Sequence, residues 1–140
     1  MQEVEDSAEL GFSIYNMRSV AVVRNPFDRL VSYCASTDPS FHLNHVSSIR
    51  NALFTAVDDP ENRWLKPQGF FTQGVKTVYR FENFKQIIQD LSRILGVEYT
   101  AAPVVNDSVH GRYQKYFDNE LKGMVEEIYA DDLREFEYRF

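Results

Sequence analysis

Arg24 and Ser32 are the residues whose types and spacing best fit a chemical task. A guanidinium, always charged and carrying a rigid fork of donors, closes the apolar run Val20-Ala21-Val22-Val23. A hydroxyl follows eight positions later. The pair suits the binding of a phosphate group; the alternative is that Arg24 pairs with a carboxylate and Ser32 faces water. His42 and His45, three apart, are conceivable as a metal pair or a general base. No cysteine or acidic residue completes a ligand set around them, so no metal is expected. Cys34, the single cysteine, excludes an internal disulfide and is expected to be a buried packing residue.

The elements that must position these groups follow from local pattern. Val20–Val23 is a β-branched run suited to a buried strand. Asn25 is a good N-cap, Pro26 fits the first helical position, and Asp28 suits the positive end of a helix. Phe27, Leu30, Val31 and Cys34 then fall on one helical face, with Ser32 away from it. This predicts a strand–turn–helix unit with Arg24 at its switch point, the place where ligands collect in open α/β folds. Between the turn signals Asp38-Pro39 and Asp58-Asp59-Pro60, Val46, Ile49, Leu53 and Val57 predict a second helix. Val75–Arg80 reads as another strand. Phe84, Ile87, Ile88, Leu91, Ile94 and Leu95 predict an amphipathic helix ended by Gly96.

The pattern Arg-Asn-Pro followed by the helical serine resembles one half of the cofactor site of sulfotransferases, in the branch that includes carbohydrate sulfotransferases. Trp64-Leu65-Lys66-Pro67-Gln68 resembles the family's Pro-Gln segment, and Phe81-Glu82-Asn83-Phe84 its Phe-Glu-Asn junction. Asn106-Asp107-Ser108 resembles its Asn-x-Ser loop. Tyr116-Phe117, Ile128–Asp132 and the Phe136-x-Tyr138-x-Phe140 ending resemble its C-terminal helices. The resemblance runs from about residue 19 to the end and implies an α/β fold, a partial P-loop-type sulfotransferase domain with a short parallel sheet flanked by helices.

It further implies transfer of a sulfuryl group from 3′-phosphoadenosine 5′-phosphosulfate (PAPS) to a hydroxyl acceptor, carbohydrate-like in this branch. Arg24 and Ser32 would hold the 3′-phosphate, and Arg112 would be a second anion contact. The region from Ser36 to Asn62 and just beyond would line the acceptor pocket. There Phe41, His42, Trp64, Phe70 and Phe71 could form an aromatic wall; packing into a satellite core is the competing expectation. The family's phosphate loop, rich in lysine, glycine and threonine, has no counterpart: the first lysine is Lys66, and Gly11-Phe12-Ser13 lacks the pattern. The segment that would carry the catalytic base is missing too. The chain thus resembles the C-terminal two-thirds of the family domain, without an assigned catalytic residue. The alternative is a non-catalytic nucleotide- or anion-binding module, or a scaffold derived from the family.

The 140 residues fit a single domain, 1–140, and 44% hydrophobic content with 11 Phe and 8 Tyr argues for a folded core. A net charge of −6 argues against a nucleic-acid partner. No run approaches the length of a membrane span, and MQEVEDSAEL carries no signal-peptide pattern. The expectation is a soluble, cytoplasmic protein of microbial or viral source. A two-stranded parallel sheet would leave open edges, to be covered by Glu9–Met17 or by a second copy in a homo-oligomer.

Overall fold

The computed structural model describes residues 17–98 and 111–140. Asn106–Ser108 and all of Glu9–Met17 except its last residue lie outside that range. The chain runs β1 (Val20–Val23), α1 (Pro26–Thr37), α2 (Phe41–Asp58), α3 (Gly69–Thr72), β2 (Thr77–Arg80), α4 (Phe84–Leu95), α5 (Asn119–Ile128) and α6 (Ala130–Glu135). Short 3-10 turns precede α4, at Phe81–Asn83, and α5, at Tyr113–Tyr116. The architecture is mixed helix and strand around a two-stranded parallel sheet, as expected for the α/β class. β1 and β2 pair from Val20 with Thr77 to Val23 with Arg80. Their carboxyl ends therefore lie side by side.

α1 forms as its sequence dictates. Asn25 accepts a hydrogen bond from the Phe27 amide, Pro26 opens the helix, and Asp28 sits in its first turn. Phe27, Leu30, Val31 and Cys34 are all buried, on the predicted face. They meet Phe41, Ile49 and Leu53 of α2 and Leu121 and Val125 of α5, with Leu65 and Tyr129 closing the cluster. α4 ends at Gly96, which adopts φ 65°, the left-handed conformation glycine reaches without a Cβ penalty.

Cys34 is buried as expected, its thiol donating to the Ser48 carbonyl at 3.7 Å. Burial, with a smaller contribution from Asp38, pushes the thiol from its usual 9.0 up to about 12. Because the folded state holds this proton more tightly, its contribution to stability is complete below pH 9.0. It is lost as pH rises toward about 12. The native protein should therefore resist a thiol-reactive chromogen at neutral pH and react fully once denatured. Prompt labelling of the native state would show that the thiol is accessible.

One expectation needs correction. β1 is not a buried strand: Val20 and Val22 are 42% and 49% exposed, and Val23 alone is buried. Among the described residues β1 pairs with β2 alone, and β-branched composition sets a strand's backbone but not what packs on its faces. The apolar stripe of α4 is likewise largely unburied. Only Ile87 of its predicted set is enclosed, while Ile94 and Leu95 are exposed. In α2 the predicted Val57 is exposed as well, past the point where the helix leaves the core.

Candidate functional site

Arg24 leaves β1 at its carboxyl end, and its backbone is held by a side chain far along the chain. The Arg24 amide donates to Gln68 Oε1, and Gln68 Nε2 donates to the Arg24 carbonyl, both at 2.8 Å. The Gln68 carboxamide thus acts as a one-residue extra strand at the sheet edge. Gln68 is in turn fixed by Asp132, which accepts from the Gln68 amide at 2.6 Å and from Gly69 at 2.8 Å. Asp132 is fully buried.

The next residue is clamped from the other side. The Asn25 amide donates to Glu82 Oε1 at 2.8 Å, and the Tyr138 hydroxyl donates to Glu82 Oε2 at 2.7 Å. Asn25 Nδ2 donates to the Arg139 carbonyl at 2.9 Å and to the Tyr113 hydroxyl at 3.2 Å. Burial, then the Glu82 contact, raises the Tyr138 phenol above its usual range, which keeps it a donor. Asn25-Pro26, Pro67-Gln68, Phe81-Glu82-Asn83 and the C-terminal aromatics therefore converge on one junction. Their task in this fold is to set the end of β1.

Beside that junction opens a cleft of about 700 Å³. Arg24, Arg29 and Arg63 line it with Ser32, Trp64 and Phe71, and among the described residues the lining holds no carboxylate. Arg24 Nε pairs with Asp28 at 2.7 Å, and its guanidinium lies 4.7 Å from the Phe81 ring centre. The carboxylate alternative for Arg24 is thus realised along one edge of the group. Neither terminal nitrogen has a hydrogen-bond partner among the described residues, so two donors stay available to the cleft. Arg29 donates to the carbonyls of Trp64 at 3.0 Å and Lys66 at 2.6 Å and lies over the Tyr129 ring. Burial draws its pKa down, with Tyr129 and Asp132 acting the other way, and a guanidinium so placed stays charged. Arg63 lies 5.2 Å over the Trp64 ring and makes no ion pair among the described residues.

Arg24 and Ser32 are brought together in the cleft. Arg112 is exposed before the 113–116 turn and is not part of the cleft lining. The aromatic set divides. Trp64 and Phe71 wall the cleft, whereas Phe41 is core and touches His42, His45 and Tyr116 edge-on or tilted. No group of three potential metal ligands forms among the described residues.

Arg29 and Arg63 were not foreseen as cleft residues. A signal existed for the first: Arg29, Ser32 and Ser36 repeat at helical spacing opposite the buried face of α1, a polar stripe that lines the cleft. Arg63 lies outside regular structure, where periodicity says nothing. An anion entering this cleft would meet fixed guanidinium donors and a flat aromatic surface. No protein-family model, curated protein or solved structure matches the chain.

Proposed function

We propose that the cleft binds the 3′-phosphate end of a PAPS-type nucleotide. The chain is read as a sulfotransferase-type domain whose acceptor is a carbohydrate-like hydroxyl. The observation that carries this reading is three arginines around one cleft with no carboxylate among its described lining residues, in a chain of net charge −6. Arg24 would supply its two terminal nitrogens to the phosphate, Ser32 a hydroxyl, and Arg63 an exposed cation stacked on Trp64. Arg29 acts mainly by holding the 64–66 backbone. Trp64 and Phe71 offer apolar faces to a ring.

Sulfuryl transfer needs cations around the leaving oxygen and a base near the acceptor hydroxyl. Among the described residues, the cleft lining contains no lysine, imidazole or carboxylate for either task. That observation favours the second reading, a module that binds nucleotide or another anion without catalysing transfer.

Calorimetric titration with adenosine 3′,5′-bisphosphate tests the shared claim. Arg24→Ala should weaken binding by roughly tenfold or more, the loss of about 1.5–3 kcal/mol expected for a charged hydrogen-bond partner. Adenosine alone should bind far more weakly than the bisphosphate. Equal affinities for the two, or an unaffected Arg24→Ala variant, would remove phosphate recognition from the reading.

A further inference from the structure

The segment 63–71 turns three aromatic side chains outward: Trp64 is 64% exposed, Phe70 54% and Phe71 49%. Its backbone, however, is pinned by buried polar groups. Arg29 holds the carbonyls of Trp64 and Lys66, the Tyr129 hydroxyl holds that of Leu65 at 2.7 Å, and Asp132 holds the amides of Gln68 and Gly69. Leu65 and Gln68 are buried between these anchors. The rings therefore project from a rigid support rather than from a slack loop. Rings and cations alternate: Arg63 covers Trp64, and Lys66 Nζ stands 3.7 Å from the Phe70 ring centre. Two carboxylates border the segment, Glu61 at 3.4 Å from Lys66 and Glu135 beside Gly69. Glu61 is 86% exposed while Lys66 is 16% exposed, so the pair lies at the rim and Arg63 is the open cation of the segment.

Exposed Trp and Phe interleaved with Arg and Lys is the chemistry of a lipid–water boundary. There the rings enter the headgroup region and the cations meet phosphates. We propose that this corner docks onto a bilayer carrying anionic phospholipid. Trp64, Phe70 and Phe71 enter the headgroup layer, and Arg63 beside them faces lipid phosphates. The net charge of −6 does not prevent this, because charges more than about 8 Å from the surface are largely screened at physiological salt. The docking stands independently of which soluble anion the cleft accepts.

Trp64 is the only tryptophan of the chain, so its emission reports this corner alone. On titration with vesicles of equimolar phosphatidylserine and phosphatidylcholine, the emission should shift to the blue and be quenched by brominated acyl chains. High salt should reverse the shift. Phe70 lies outside the cleft lining, and Phe70→Ala should weaken vesicle partition by about tenfold while leaving affinity for adenosine 3′,5′-bisphosphate as in the wild type. Absence of the blue shift, an equal shift with pure phosphatidylcholine, or an equal shift with soluble glycerophosphoserine would overturn the docking. An unchanged partition of Phe70→Ala would overturn it too.

Discussion

Asp132→Ala should destabilise the fold by about 3 kcal/mol or more, since a charged acceptor holding two amides is lost from a fully buried site. Asp132 is fully buried, and its two oxygens take the Gln68 and Gly69 amides at 2.6 and 2.8 Å. Alanine leaves both amides unsatisfied and removes the negative charge that favours the Arg29 guanidinium. Asp132→Asn should lose less, because its carboxamide keeps one acceptor oxygen. Urea denaturation of the three proteins, followed by Trp64 emission, measures both losses. An Asp132→Ala midpoint at the wild-type value would mean that the 68–69 backbone finds other partners and that Asp132 does not set the cleft.

Phe27→Ala should cost about 3–5 kcal/mol, the usual range for deleting a buried aromatic ring. The ring is wholly enclosed. It meets Phe117 edge-on at 5.3 Å, Phe140 at 4.9 Å and Tyr113 in a near-parallel stack at 6.1 Å. Loss of the ring opens a cavity and frees the C-terminal aromatics at once. Digestion by carboxypeptidase should therefore accelerate in Phe27→Ala as the Phe140 contact disappears. Phe27→Leu fills much of the space and should lose less than half as much. If both variants melt with the wild type, the aromatic cluster is not what attaches the tail to α1.

Much of the architecture was legible because it is local. Asn25, Pro26 and Gly96 act within a few residues of themselves, so the ends of α1 and α4 follow from residue type. The buried stripe of α1 follows from period alone. Burial of β1 and α4 did not follow, since exposure depends on what packs against an element and not on its own pattern. Arg24 and Ser32 share the cleft because both flank one strand–helix turn. Arg63, Trp64 and Phe71 join them through the Arg29, Tyr129 and Asp132 anchors, contacts across 35 to 64 residues that no local rule describes. The Glu82, Gln68 and Tyr138 clamps gave only the trace of a motif, and their physical role, holding the Asn25 and Arg24 backbone, appears once they meet.

Those clamps also fix when the cleft can exist during folding. The bonds that seat Arg24 and Asn25 close loops of 44, 57 and 114 residues. The α1 cap and the turn between α1 and α2, by contrast, close within a handful of residues. Loop-closure entropy places such distant contacts late, after the helices have packed. A nascent chain that has not yet delivered Asp132 and Tyr138 keeps the local Arg24–Asp28 pair but lacks the bonds that fix Gln68 and Glu82 against the Arg24 and Asn25 backbone. The proposed anion capture would consequently require segment 129–139 to be docked, and the rate at which binding appears on refolding would time that docking.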